Sequence, residues 1–393
     1  MIAKTQSAAA PSLLTSRWTR PLALLAVAGL GVGAASLAVA PARALSALLA
    51  GAMLALAASL GGLAWLALFQ VSNAGFFVVF KRVLEALAAA LPMGAVMLLA
   101  LLPGAPILYG WAHAAAATDP IVQNRHGFQT LTAFSLRMGL FLVLWLGFSY
   151  ALRRESRAQD LDGDVSHTRR AVAISAVFLL LGGYSISLAS VDWLMSADPH
   201  WASTIYGFYS IGGVLLTGAL ATLITVLALR RAGRLPELNE SHLHDLGKLL
   251  FAFCTFWAYL WFSQFLLIWY ANLPEETAWI LTRTRNGWAP WFYGNVLINW
   301  ALPFVLLLPR GAKRDPAYLA RVAALVLVGR FVDLWLQVAP ANQPHAPALP
   351  WIEAAVFVGT VSLFALVVAR ALGKEPLIAR HDPYLEEALH HRT

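Results

Sequence analysis

The sequence predicts an all-α integral membrane protein of about ten spanning helices, and three observations carry that reading. Of its 393 residues, 59% are apolar and only 12% charged, with a mean hydropathy of +0.66. Soluble domains carry about twice that share of charge. The apolar residues gather into runs long enough to cross about 30 Å of hydrocarbon, which takes roughly 20 residues of helix. Between the runs lie short loops that hold most of the basic residues. In that setting a pI near 9.8 is a topology signal, and a nucleic-acid partner is set aside.

In order, the runs fall at about 22–40, 44–69, 86–109, 128–152, 171–190, 204–229, 248–270, 289–309, 321–339 and 351–370. The first, "PLALLAVAGLGVGAASLAVAPARA", shares an A-x-A-like end with signal-peptide cores. Its long apolar core and leader of about 20 residues favour a retained span instead. Residues 1–21 thus read as a leader, 22–370 as one polytopic membrane domain and 371–393 as a tail. Counted on alternating sides, 22 of the 28 Lys and Arg fall on one side. Only Arg43, Arg125, Arg283 and Arg285 fall on the other, and Arg137 and Arg330 lie within spans. That bias places both termini in the cytoplasm.

One cysteine, Cys254, lies inside an apolar run. A disulfide within the chain and a cysteine-held iron–sulfur cluster are therefore excluded. There is no C-x-x-C-H for haem attachment, and no pair of histidines at membrane depth suits a b-type haem. His242 and His244 sit in a loop, His390 and His391 in the tail, and His113 and His126 flank Asp119 outside. No metal site is expected, and no cofactor bound by this chain.

Ionisable groups at membrane depth cost about 2.5–3.5 kcal/mol each on insertion scales, so each needs a partner or water. In "VGRFVDLW", Arg330 and Asp333 stand three apart on one helical face. They read either as a self-neutralising packing pair or as part of an ion route. Arg137, in "AFSLRMGLF", has no acid nearby in sequence; Asp192 and Asp333 lie at plausible depths to pair with it. Lys81, Arg82 and Glu85 mark the cytoplasmic mouth of the third run, as an anchor or as the inner entrance of a polar path. Toward the outer half lie Ser185, Ser187, Ser190, Ser263, Gln264, Asn295 and Asn299, with Glu353 at the same level. They suit either helix-to-helix bonds or a wet cavity.

The connector "SVDWLMSADPHWASTIYG" (190–207) lacks Lys and Arg, yet carries Asp192, Asp198 and His200 among aromatics. The charge bias places it outside, and its Trp and Tyr fit an interfacial belt. In "DPHW", Asp198 is a candidate cap for the following helix, with Pro at its first position. His200 and the carboxylates also suit proton relay at a wet mouth. Trp193, Trp201 and Tyr206 could line a crevice for a quinone ring.

Together with "FWAYLWFSQFLLIWYANLPEET", "NAGFFVVFKRVLEAL" and "RFVDLW", that connector closely resembles the NrfD/PsrC-like membrane subunits, in particular the ActF type of alternative complex III. The likeness runs in register over roughly residues 65–340. Position 197 is Ala where a larger apolar residue is expected. The resemblance implies two four-helix bundles with extra outer helices, and a place in a bacterial inner membrane respiratory complex that oxidises quinol. It implies an ActC-type relative, haem c and iron–sulfur clusters in partner subunits, surrounding lipid, and quinol as a ligand usually assigned to that relative. Asp192, Asp198, His200, Arg330, Asp333, Arg82 and Glu85 match the motifs by position, as candidates for a proton route; Arg137 and Glu353 join them on their depth. On this reading the chain is no enzyme by itself. A secondary transporter or a passive scaffold are the competing readings.

Overall fold

The computed structural model describes residues 16–113, 118–124, 127–343 and 345–392, with the side chains of residues 16 and 17 left aside. Most of the leader, together with Arg125 and His126, lies outside the described residues. Among the described residues the chain is all-α, and ten helices are long and apolar enough to cross a membrane. They are α1 (Trp18–Ala38), α2 (Pro41–Val71), α3 (Phe76–Leu108), α4 (Leu131–Asp162), α5 (Ser166–Ala197), α6 (Tyr206–Arg231), α7 (Glu240–Ala271), α8 (Ala289–Leu307), α9 (Pro316–Asn342) and α10 (Trp351–Leu372). A short helix, Pro274–Thr284, joins α7 to α8, and α11 (Leu385–Leu389) closes the tail.

Helices α2 to α5 pack as one four-helix bundle and α6 to α9 as a second, with α2 against both α6 and α9 at the seam. Helices α1 and α10 pair outside the bundles, and α10 rests on α2 and α3. Lipid is as apolar as leucine, so helix association here depends on close packing. Two crossings show it. A Cβ on Gly61 of α2 would stand 2.3 Å from the Val214 carbonyl of α6, with Gly218 just behind. A Cβ on Gly29 of α1 would meet the Ala355 carbonyl of α10 at the same 2.3 Å, beside Gly359. Gly29 lies in the run that shares features with a signal peptide, and it is fitted to its partner backbone to backbone.

Prolines inside spans leave carbonyls without their helical donors, and neighbouring helices supply them. Pro92 breaks α3 at Ala90, and the freed Ala88 carbonyl accepts from Ser149 Oγ of α4 at 2.9 Å. Pro340 does the same to Leu336 in α9, whose carbonyl accepts from Arg283 Nε at 3.0 Å. Ahead of Pro303, α8 widens into a π turn over Leu297–Ala301. That turn sets Asn299 against Gly329 of α9.

Several helices overrun their apolar runs. Helix α3 starts at Phe76, ten residues before its expected beginning, so Lys81, Arg82 and Glu85 lie within it and are each 4% exposed or less. Helix α4 continues to Asp162 and stops at Gly163, whose φ of +72° closes the last turn. These extensions share one face with the N-terminal ends of α3, α5 and α7 and with the tail. It is called the basic face below, and its opposite the outer face.

Candidate functional site

Asp333 lies in the middle of α9, 1% exposed. Its Oδ2 accepts from Arg330 Nη1 at 2.9 Å and from Gln337 Nε2 at 3.2 Å. Its Oδ1 accepts from Asn295 Nδ2 of α8 at 2.9 Å and from the Tyr209 hydroxyl of α6. Four donors match the lone-pair sites of an ionised carboxylate. Arg330 also donates from Nε to Thr217 Oγ1 at 3.2 Å and stands 5.9 Å from the Trp257 ring centre. Gln337 accepts from the Tyr206 hydroxyl. Arg330, Asp333 and Gln337 stand at i, i+3 and i+7, a stripe down one face of α9 that points at α6 and α8.

Two cavities flank this carboxylate. One, about 40 Å³, lies at the seam of the bundles, lined by Asp333, Arg330, Trp193, Ser190, Ser210 and apolar residues of α2. The other, about 20 Å³, lies inside the second bundle among Asp333, Tyr206, Gln264, Asn295 and Arg283. A cavity needs at least ~10–15 Å³ and two or more polar partners to hold water. Both meet that condition. Ser210 Oγ and Trp193 Nε1 at the first, and Gln264 Oε1 at the second, are buried polar atoms without a protein partner. Trp193, Trp201 and Tyr206 are each 3% exposed or less. Trp193 packs on Phe141 and Trp145, while Trp201 stacks on Trp279 at 4.5 Å and meets Tyr206 edge-on.

The second cavity leads toward the outer face through Arg283, on the helix Pro274–Thr284. This cation is 1% exposed. It donates to the carbonyls of Trp279, Leu336 and Gln337 and lies 3.8 Å above the Trp279 ring. Burial pushes its pKa down to about 10, against the attraction of Asp198. Sequence alone placed Arg283 among the outer-loop cations; its signal was the Pro340 it serves, 57 positions along. Asp198 is no helix cap. Helix α6 begins only at Tyr206, with Ile205 at its cap position and no side-chain bond. The stretch after Pro199 runs on as loop, because it must carry Trp201 back over Trp279 before the helix can start.

The remaining candidates fall into separate pairs. Arg137 meets Asp192, not Asp333, through two bonds of 2.6 and 2.9 Å that tie α4 to α5. His200 bonds Asp119 at 2.7 Å, and Asp119 also accepts from the Ile121 backbone. Those contacts, Ile121 first, hold Asp119 below the usual carboxylate range. Glu353 is paired with Arg43 through two bonds of 2.8 Å, clasping α10 to α2 at the outer face. The expected outer polar cluster is likewise divided. Ser185 bonds Trp145, Ser187 turns back to its own helix, and Asn299 supports Asn295.

On the basic face, Arg82 pairs with Glu85 at 2.5 Å and with Asp160 of α4, and reaches Ser156 at 3.2 Å and Glu375 of the tail at 3.4 Å. Asp160 and Glu375 gave no sign in the sequence of belonging to this site. Between it and Arg330 the helices meet through Leu63, Leu84, Leu87, Leu220, Leu223 and Val326, all fully buried. Thr222, at that level, is bonded to its own helix. Among the described residues no cluster of His, Cys, Asp and Glu could hold a metal ion. The sequence matches no protein-family model and no curated protein.

Proposed function

We propose that this chain is an integral membrane subunit of a bacterial respiratory complex that oxidises quinol, of the alternative complex III type, and that Asp333 is its proton-exchanging group. The observation that carries the proton reading is a buried carboxylate between two small, mainly apolar cavities that each hold a few polar groups. Asp333 would take up and return a proton when one of the four donors that fill its acceptor sites, Tyr209, Asn295, Arg330 and Gln337, yields its place to water from either cavity. An amide does not relay protons readily, so the path outward runs through water beside Tyr206 and Arg283, toward Asp198, rather than through Gln337. The place in the respiratory complex rests on the likeness of the connector 190–207 and of "RFVDLW" to that family. Partner subunits would carry haem c and iron–sulfur clusters, and an ActC-type relative the quinol.

The fully buried apolar layer between Arg330 and Arg82 favours a route wetted from the outer face and joined to the basic face only when helices shift. Asp333→Asn in the assembled complex tests this, as an isosteric change that removes the charge. Loss of the proton translocation that exceeds the two protons freed by each quinol, with quinol oxidation retained, supports the reading. Unchanged turnover with unchanged proton release would sink it and leave a passive scaffold. A secondary transporter would show instead as a solute whose uptake in vesicles depends on Asp333.

A further inference from the structure

The tail that follows α10 folds back over the basic face and binds it along its whole length. Glu375 accepts from Arg82 and Arg157, and Asp382 pairs with Lys81 at 2.7 Å. The Arg380 backbone donates to Asp160 at 3.1 Å, and the Tyr384 hydroxyl to Asn73 at 3.3 Å. Helix α11 then lies on the Phe76–Phe80 turn with Ala388 fully buried. At the end His391 bonds Asp245 of α7 at 2.5 Å, and its carbonyl accepts from Asn239 at 2.8 Å. One strand of chain thus clasps the ends of α2, α3, α4 and α7.

What it covers is a polar mouth. Arg82, Glu85 and Arg153 line a cavity of about 10 Å³ whose remaining wall includes Glu375 and Pro376 of the tail. Under that wall, Glu85 Oε1 and Arg82 Nε are buried without a protein partner. An unpaired carboxylate oxygen at 3% exposure is costly unless a proton or water meets it. Lys81 and Arg157 pair with acids of the tail, while Arg82 adds Glu375 to the Glu85 and Asp160 it already meets on α3 and α4.

We infer that residues 373–392 form a strap, fastened partly through Glu375 and Asp382, that shuts the basic-face mouth over Glu85, and that release of the strap opens Glu85 to exchange with the aqueous phase. That the exchanged species is a proton rests on the function proposed above; the closure of Glu85 does not. Removing their charge weakens all of the strap's ion pairs, whereas salt screens chiefly the exposed Arg157–Glu375 pair. The chain carries a single cysteine, fully buried Cys254, so a thiol placed in the strap reports alone.

The experiment uses the full-length chain in detergent. Ala388→Cys is treated with a soluble maleimide, and Glu85 is modified with a water-soluble carbodiimide and read by peptide mass spectrometry. Both are compared with the same chain carrying Glu375→Gln and Asp382→Asn. Since those changes together risk misfolding, a second comparison carries Glu375→Gln alone, which removes the strap's acid over the mouth and its exposed pair with Arg157. The expected result is roughly tenfold faster reaction at position 388 and at Glu85 on release, with Glu353, clasped to Arg43 on the outer face, unchanged. Rapid thiol labelling in the chain with its acids intact would overturn the inference, as would a released strap with Glu85 no more reactive. If the proton reading fails, Asp333→Asn leaves proton release untouched while the Glu85 difference persists, so the two failures are told apart.

Discussion

Asp333 and Arg82 centre two buried ion clusters that begin from the same local motif, an acid three residues after an arginine on one helix. In α9 the motif is completed by α6 and α8, with every acceptor site of the carboxylate filled. In α3 it is completed by α4 and the tail, and one oxygen of Glu85 is left over. The difference teaches that a pair in sequence does not say how it ends. The cluster built within the bundle is closed and dry apart from its two cavities. The one at the rim takes Glu85 and Asp160 from helices and adds Glu375 from the tail.

The comparison breaks most sharply at Arg330. Removing one partner of a buried ion pair costs about 3–5 kcal/mol, because the other charge stays buried alone. Asp333→Leu alone should therefore lower the yield of folded chain severely. Asp333→Leu with Arg330→Met should restore folding, by thermal stability in detergent, yet not proton release in the assembled complex. If the double variant releases protons normally, the α9 cluster is packing and nothing more.

Next comes the crossing that holds the seam cavity together. Gly61→Leu would drive a side chain into the backbone of α6, and overpacking of this kind costs on the order of 1–3 kcal/mol or more. The expected outcome is loss of the seam, read as a lower unfolding temperature. Gly31, with nothing within 4 Å of an added Cβ, supplies the matched control that should be neutral.

A smaller effect is expected at Arg283. Arg283→Met strips the donors from the Leu336 and Gln337 carbonyls, about 1–3 kcal/mol for unsatisfied buried groups. Arg283→Lys keeps the charge and should recover part of the stability, while losing the forked hold on two carbonyls. Equal stability of both variants and the native chain would show that water replaces the guanidinium there.

The smallest effect belongs to the exposed bond between His200 and Asp119. Because contacts hold Asp119 below its ordinary carboxylate value, its contribution is present above that value and is lost as pH falls through the lowered one. Asp119→Asn should lower stability slightly at neutral pH and flatten the acid-side dependence below about pH 4, so that the two chains converge in acid. Equal stability of the two chains at neutral pH, with the acid-side dependence unchanged, would show that the bond to His200 contributes nothing.

The ten spans were legible because each needs only a long apolar run, a property of neighbours in sequence. Arg330 with Asp333 and Arg82 with Glu85 were legible for the same reason, being one helical turn apart. Arg137 could be assigned an acid only as a choice of two, and Asp198 was misread as a cap because Asp-Pro before an apolar run has that meaning locally. Its stretch answers instead to the Trp201–Trp279 stack, between residues 78 positions apart.

Composition and charge by themselves determined that the chain is a multi-pass helical membrane protein, and which loops share a face, because lipid forces backbone polar groups into helices. Only the tertiary structure decided which polar groups meet. Glu353 went to Arg43, Asp192 to Arg137, and the tail to the mouth of α3. The physical reason is that a buried charge takes whichever partner packing brings within about 3 Å, and beyond one helical turn that distance is set by packing and not by separation along the chain.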